Sequence, residues 1–303
     1  MDGRTGTLVG LSLVPERAAW PQLLERAQVA DRAGLDLLGI QDHPYQHRFL
    51  DTFALIGTLL ARTERIRVFP DVANLPLRPP SVLAKTATAL DVTSGGRFEL
   101  GLGAGGFWDA IAAMGGPRRA LGEAVDALAE AIDVIRLMWS GERTVSYEGE
   151  HYRVRGVHPG DAPPHPIGIW VGAYGPRMLR LIGRHADGWV PSYGRASVED
   201  LRSAHAVIDE AAVEAGRDPA AIRRVLNIGG QITGPGAADR PEPGQTVGQL
   251  GGGLAGPPEY WRDLLAGLAE IGFDAFVFWP TEPSAEQIER LADEVAPALR
   301  ARG

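Results

Sequence analysis

Acidic, basic and glycine residues collect at four places in this sequence where a short apolar run ends. The first place follows Leu35–Ile40, where Asp42 and His43 stand side by side and Tyr45 comes two residues later. An imidazole can give or accept a proton near neutral pH, and a neighbouring carboxylate can orient a ligand. The sequence therefore predicts His43 as a catalytic residue, and the alternative is a histidine that only caps a loop.

The second place lies between two prolines. Pro70 and Pro76 enclose a segment that begins Asp71, Val72, Ala73. Proline restricts its own backbone and that of the residue before it, so this segment favours an unusual backbone beneath a ligand. The alternative is an ordinary turn into the next helix.

The third place is a glycine-rich run. Residues 101–106 read Gly-Leu-Gly-Ala-Gly-Gly and formally match the dinucleotide-binding pattern G-x-G-x-x-G. In a dinucleotide fold this pattern follows the first strand, whereas here it follows the fourth apolar run, which argues against a nicotinamide site. Missing side chains still let a flat ring approach the backbone. The candidates for contact with a ring or a substrate in this stretch are Gly103, Ala104, Gly105, Phe107 and Trp108.

The fourth place combines glycines with the predicted start of a helix. Gly172, Ala173, Gly175 and Pro176 precede Arg177. Backbone N–H groups at a helix N-terminus favour an anionic phosphate, and an arginine close by adds positive charge. The sequence therefore predicts a phosphate site here, and the alternative is a plain Gly-Pro helix start.

Short apolar runs alternate with longer amphipathic runs along the whole chain, which is typical of repeated β-α units. The predicted strands are Thr7–Leu13, Leu35–Ile40, Ile66–Phe69, Phe98–Leu102, Ile167–Val171, Gly188–Val190, Val225–Ile232 and Phe273–Phe278. The predicted helices include Trp20–Ala33, Asp51–Ala61 with Asp51 as its N-cap, one beginning near Pro79, one through Leu121 and Ile135, Arg177–His185 and Ala285–Leu299.

Two segments interrupt this alternation. Thr144–Val154 predicts a small β-hairpin with Glu148-Gly149 at its turn, and Thr233–Pro258 predicts a long Gly/Pro-rich loop after strand seven, a lid or mobile segment. The simplest topology is an α/β fold, a (β/α)8 TIM barrel that forms a single domain over residues 1–303. A doubly wound open sheet is the alternative.

The composition excludes several classes of function. A net charge of −8 argues against a nucleic-acid groove, which needs a concentrated basic patch. No apolar run approaches the length needed to cross a bilayer, so we expect no membrane partner. The chain has no cysteine, which excludes disulfides and thiolate metal sites, and we expect no metal and a cytoplasmic location.

Three stretches together resemble the luciferase-like monooxygenases and their deazaflavin-dependent relatives. They are Ser94–Gly105, Leu75–Pro80, and Gly172–Arg177 continuing to Arg184–Trp189. The resemblance implies a (β/α)8 barrel with an insertion and a non-proline cis peptide, which by position is Asp71–Val72. We also expect a small-molecule substrate and a homo-oligomer, a dimer.

The pair Asp42-His43 is similar to the Asp-His pair of family members that use the deazaflavin coenzyme F420, whereas FMN-dependent members more often show a different pair. The resemblance therefore implies an oxidoreductase that transfers hydride between F420 and a small organic substrate. His43 would stabilise or protonate the reacting centre, and Asp42 would fix the ring. The alternatives are an FMN-dependent monooxygenase supplied with reduced flavin by a reductase partner, and a flavin-binding barrel without activity.

The resemblance assigns the other candidates to parts of one site. The face of the ring would be supported by Asp71, Val72 and Ala73, and room beside the ring would be left by Gly103, Ala104 and Gly105. The phosphate would be bound by Gly172, Ala173, Gly175, Pro176 and Arg177. The substrate side would be lined by Tyr45, Phe107 and Trp108. Some deazaflavin dehydrogenases carry an acidic residue where this chain has Gly-Phe-Trp at 106–108. Because Lys85 is the only lysine, a sugar-phosphate substrate is not expected.

Overall fold

The computed structural model describes residues 6–234 and 253–301, in which strands and helices alternate. The strands are β1 (Leu8–Leu13), β2 (Leu37–Ile40), β3 (Arg67–Pro70), β4 (Ala73–Asn74), β5 (Leu100–Gly103), β6 (Val145–Glu148), β7 (Arg153–Val157), β8 (Ile169–Val171), β9 (Gly188–Trp189), β10 (Arg223–Ile232), β11 (Ala255–Gly256) and β12 (Ala275–Pro280). The helices are α1 (Trp20–Arg32), α2 (Thr52–Leu60), α3 (Pro80–Ser94), α4 (Trp108–Ala113), α5 (Leu121–Met138), α6 (Pro176–His185), α7 (Val198–Glu214), α8 (Pro258–Glu270), α9 (Ala285–Arg290) and α10 (Ala296–Arg300).

The parallel strands close into a ring. Hydrogen-bonded neighbours follow the order β3-β2-β1-β12-β10-β9-β8-β5-β4. β4 continues the path of β3 after two residues, and a bridge between Val68 and Phe98 joins β3 to the segment that leads into β5. The ring therefore has eight positions, with β3 and β4 sharing one, and the predicted (β/α)8 barrel is confirmed over the open-sheet alternative.

Side chains that point into the barrel form two layers. Because strand side chains alternate between faces, every second residue of each strand points inward. The first layer is apolar, is separate from the larger core between sheet and helices, and consists of Leu37, Phe69, Trp170, Val190, Val225 and Ala275, joined by Val277, the next inward residue of β12. Two residues further along five of these strands stand Asp71, Gly172, Ser192, Asn227 and Trp279. The lumen thus changes from apolar to mainly polar towards the carboxyl ends of the strands.

The predicted hairpin is present, but its turn differs from the prediction. β6 pairs antiparallel with β7, and the turn comprises residues 149–152 instead of the predicted Glu148-Gly149 alone. The Glu130 carboxylate on α5 accepts hydrogen bonds from the N–H groups of Glu150, His151 and Tyr152 at 2.9, 2.8 and 3.0 Å. A side chain from outside the hairpin therefore shapes the turn.

Other elements differ in detail from the predictions. α4 is a short helix that the sequence analysis did not identify. The predicted closing helix contains a π-helical turn, Leu291–Val295, ahead of Pro297, which lacks an N–H group. Of the predicted loop Thr233–Pro258, residues 235–252 lie outside the described residues, and β11 near its end pairs with β10.

Across the described ranges 6–234 and 253–301, we find no helix with the length and apolar character to cross a membrane.

A buried carboxylate ties α1 to the start of β3. Asp31 is 6% exposed and accepts hydrogen bonds from the N–H groups of Glu64, Arg65 and Ile66 at 2.7, 2.9 and 2.8 Å. Burial raises the pKa of this carboxyl, but the three donors outweigh burial and hold its pKa below the ordinary value. The ionised side chain therefore stabilises the first β-α-β unit.

We expect Asp31→Asn to lower the free energy of unfolding at pH 7 by about 2–3 kcal/mol, because an amide replaces a charged acceptor of backbone donors. Urea titration measures this difference. The Asp31 pKa is lower in the folded protein than in the unfolded chain. The stabilisation is therefore present when the pH is above the pKa of the unfolded chain, and it is lost as the pH falls through the pKa of the folded protein. The exposed Asp161→Asn variant is the control, with a change of less than about 0.5 kcal/mol. An equal effect of both variants would contradict the assignment.

Candidate active site

A cavity of about 650 Å³ opens at the carboxyl ends of the barrel strands. Its floor includes the second inward layer, and the loops after the strands form its walls. Barrel enzymes carry their active sites at this end because all the βα loops meet there. The predicted site residues that line the cavity are His43, Asp71, Val72, Phe107 and Gly172.

A chain of hydrogen bonds crosses the cavity floor. The Trp279 indole N–H donates to Asn227 Oδ1 at 2.8 Å, and Asn227 Nδ2 donates to Asp71 Oδ1 at 3.1 Å. Asp71 Oδ2 is buried and has no hydrogen-bond partner among the described residues. Burial raises the Asp71 pKa to about 7, although the Asn227 hydrogen bond acts in the opposite direction.

The peptide bond between Asp71 and Val72 is cis, which confirms the position that the family resemblance implied. A Cβ atom added to Gly39 on β2 would lie 3.0 Å from Asp71 Oδ2. A Cβ atom on Gly103 would lie 2.8 Å from Val72 Cγ2. These glycines therefore make room for the Asp71-Val72 segment.

His43 lies in an aromatic wall of the cavity. Its Nδ1 and the Tyr45 hydroxyl are hydrogen-bonded at 2.7 Å, and its ring packs edge-on against Phe107 at a centroid distance of 5.6 Å. Burial lowers the His43 pKa, and the charge of Asp42 offsets this only in part, so the imidazole is neutral at neutral pH. Burial also raises the Tyr45 pKa to about 12. Nε2 is then the ring nitrogen left for a ligand.

Asp42 does not face the cavity as the resemblance implied. It is 2% exposed, and its two oxygens accept hydrogen bonds from Arg78 Nε and Nη2 at 2.8 and 2.7 Å. The Asn74 N–H also donates to Asp42 at 2.9 Å, and Arg78 binds Asp51 at 2.9 Å. With its carboxylate engaged in this way, Asp42 positions the loop that carries His43.

Several predicted residues pack beneath or beside the cavity instead of lining it. Gly105 has φ +100°, and a Cβ atom there would lie 2.9 Å from Trp108 Cη2. Glycine adopts this positive φ angle readily, and its missing side chain leaves space for the Trp108 ring. Trp108 therefore packs against Gly105. Three small residues of the prediction are buried: Ala73, Ala104 and Ala173.

The predicted phosphate segment lies beside the cavity at the surface. Gly172 and Tyr174 line the cavity, and α6 begins at Pro176 with Gly175 as its N-cap. The Arg177 side chain is 59% exposed and pairs with Asp126 on α5 at 2.8 Å. Gly175 and Pro176 are also exposed, so the helix N-terminus is open to a ligand that extends out of the cavity.

Sequence reasoning missed several residues of the lining, including Ser12, Arg26, Arg48, Tyr174, Ser192, Arg195, Asn227 and Trp279. Asn227 carried a usable signal, since it is a polar residue inside the apolar run Val225–Ile232. Ser12 and Trp279 likewise stand at strand ends. The arginines carried no such signal, because loops and a helix bring them to the cavity.

Comparison with known proteins agrees with this architecture. A family model for luciferase-like monooxygenases matches residues 5–233. An F420-dependent glucose-6-phosphate dehydrogenase of Gordonia bronchialis is 30% identical over 217 residues, 68% of this chain and 63% of that protein. An F420-dependent hydroxymycolic acid dehydrogenase of Mycobacterium tuberculosis is 34% identical over 226 residues, 70% of this chain and 59% of that protein. Each match thus spans less than two thirds of the relative.

A solved F420-dependent secondary alcohol dehydrogenase has the same fold. It superimposes with a TM-score of 0.84 at 19% identity and covers 97% of this chain and 99% of its own. The family model matches well over half of the sequence. The chain therefore belongs to the luciferase-like monooxygenase family.

Proposed function

We propose that this protein is an oxidoreductase that transfers hydride between F420 and a small organic substrate. The observation that carries the proposal is the neutral, half-buried His43 in a cavity at the carboxyl end of a barrel whose curated relatives bear F420-dependent names. F420, when bound, supplies the ring carbon that gives or takes the hydride. The protein's own residues orient the reactants and move the proton.

The cavity fits such a ligand in several respects. Its volume of about 650 Å³ is in the range of cofactor sites. The buried, unpartnered Asp71 Oδ2 leaves an unsatisfied polar atom at the floor, and such atoms are commonly paired when a ligand is present. Val72 offers an apolar surface, and the open N-terminus of α6 with Gly175, Pro176 and Arg177 supports a phosphate.

In this proposal, His43 handles the substrate proton. The Tyr45 hydroxyl can donate to Nδ1 or accept from Nδ1–H, so Nε2 can serve as an acceptor or a donor. Oxidation of an alcohol needs a base at this position, and reduction of a carbonyl needs an acid. The Asp42–Arg78 ion pair holds the loop, and the Phe107 ring packs edge-on against His43.

We further propose a cytoplasmic location, supported by the absence of cysteine, and a homodimer, which the family resemblance suggests and light scattering can test.

We expect the purified protein to bind F420 more tightly than FMN. The reasons are the His43 environment and the F420-dependent names of the curated relatives. Side-by-side fluorescence titrations measure both dissociation constants. A tenfold lower constant for FMN, about 1.4 kcal/mol in its favour, would replace the proposal with a flavin-dependent monooxygenase.

Arg177→Ala in the same titration is expected to weaken F420 binding by about tenfold, since charge-assisted hydrogen bonds contribute about 1.5–3 kcal/mol and the helix amides retain part of the phosphate. The matched control is Arg184→Ala, an exposed arginine near the opposite end of α6 that pairs with Glu214. If the two variants change the F420 dissociation constant equally, the phosphate does not bind at Arg177.

We expect His43→Ala to leave F420 affinity within about twofold and to slow hydride transfer by about 10²–10⁴-fold, the usual contribution of a positioned acid or base. Single-turnover absorbance of F420 measures this step, with the best substrate from a panel of alcohols and ketones. His47→Ala is the control, because His47 lies in the same loop but is exposed and outside the cavity lining. If His43→Ala transfers hydride at the wild-type rate and His47→Ala does not transfer it, His47 is the residue that handles the substrate proton.

Asp71 provides a prediction about pH. Its pKa is about 7 in the folded protein and about 4 in an unfolded chain, so the native state binds more protons between these values. The free energy of unfolding therefore falls as pH rises from about 4 to about 7 and is constant above that. We expect Asp71→Asn to gain about 2.6 kcal/mol relative to wild type between pH 5 and pH 8, measured by urea titration. Parallel pH profiles of the two proteins would show that Asp71 is not desolvated.

A further inference from the structure

One end of the cavity extends between α1 and the segment after β12. Ala19, Leu23 and Arg26 line it from the α1 side, and their spacing of four and three residues places them on one helix face. Thr281 and Pro283, in the segment after β12, also line the cavity. This end lies next to the loop of His43, because β1 and β2 are neighbours in the barrel.

Arg26 is half-buried in this end of the cavity and is unpaired: no described residue accepts a hydrogen bond or an ion pair from it. Two other partly buried arginines have such partners. Arg78 binds Asp42 and Asp51, and Arg217 binds Asp187 and backbone carbonyls. A guanidinium removed from bulk water is stabilised by an anion, and Arg26 has none within the described part of the chain.

The charge of the lining differs from that of the whole chain. The sequence carries a net charge of −8, yet three arginines line the cavity against two acids, Glu16 and Asp71. Arg48 contacts Glu16 at 3.7 Å with both side chains largely exposed, which is a weak pair. Asp71 is buried on the floor, where Asn227 donates a hydrogen bond to Oδ1 and burial favours the neutral carboxyl. The lining therefore attracts anions.

The arginines occupy opposite sides of the barrel mouth. In a ring of eight positions, strands four places apart face each other, so the loops after β1 and β2 face those after β8 and β9. Arg195 follows β9, and Tyr174 and the open N-terminus of α6 follow β8. Arg48 follows β2, and Arg26 lies on the helix after β1. If the phosphate of the cofactor binds at the N-terminus of α6, the side of the cavity that carries Arg26 is available to the substrate.

We propose that Arg26 and Arg48 form a subsite for an anionic group, a carboxylate or a phosphate ester, on the substrate. This rests on the proposed function, which places the reacting ring between the two cationic sides. Arginine binds such groups through two parallel N–H donors, so the scarcity of lysine does not disfavour a phosphorylated substrate. The substrate class is then an anionic alcohol or carbonyl compound whose reacting carbon lies near His43.

The experiment titrates inorganic phosphate into the protein saturated with F420, in a zwitterionic buffer at constant ionic strength, and follows binding by calorimetry. We expect saturable binding to wild type, a dissociation constant at least tenfold higher in Arg26→Gln, and a smaller increase in Arg48→Gln. Arg32→Gln is the matched control, since Arg32 ends α1, is exposed and lies outside the cavity lining. Thermal unfolding of each variant confirms that it is folded.

The same variants are also titrated with F420, because an anionic group of the cofactor could bind the same arginines. A tenfold loss of F420 affinity in Arg26→Gln with unchanged phosphate binding would assign the subsite to the cofactor and overturn the proposal. Absence of phosphate binding to wild type, or equal binding by Arg26→Gln and Arg32→Gln, would also overturn it. If wild type fails to bind F420, the proposed function fails alone, and phosphate titration of the unloaded protein still tests the subsite.

Discussion

Eight parallel strands share one lumen, and every second residue of each strand must fit inside it. Towards the amino ends this volume is filled by apolar side chains such as Phe69, Trp170 and Val225. Two residues later Asp71, Asn227 and other groups occupy the same small volume, where polar atoms must satisfy one another. An indole N–H can only donate, so Trp279 orients the Asn227 amide with its oxygen towards the indole and its nitrogen towards Asp71. The orientation of the Asn227 amide, and thus the donor that Asp71 receives, follows from that one indole N–H.

The same packing constraint explains the glycines around the site. Gly39 stands where the Asp71 carboxylate needs space, and Gly103 stands where Val72 needs it. A methyl group at either position would meet these atoms at 3.0 Å or less. The glycine-rich run after the fourth strand thus serves the close approach of protein segments first, and the floor that results is the surface offered to a ligand.

Charges near the cavity follow two different arrangements. Arg78 is enclosed by Asp42 and Asp51, and this network fixes the loop that holds His43. Arg26 and Arg195 line the cavity with no described acid paired to them, so their positive charge is available to an anionic ligand in the cavity. His43 stays neutral between these groups because burial outweighs the charge of Asp42. A neutral imidazole with cationic groups on either side of the barrel mouth suits the transfer of a hydride to or from an anionic molecule.

Local patterns in the sequence determined the barrel, since apolar alternation, the Asp51 N-cap and the order of strands and helices depend on neighbouring residues. They also determined the strand ends where His43 and Asp71 stand. Only the tertiary structure decided which side chains meet in the lumen and which are held by other residues. Asp42 is bound by Arg78, 36 residues away, and Asp71 is bound by Asn227, 156 residues away. Such pairs form when separate β-α units pack together in the barrel, and no pattern within a single β-α unit records them.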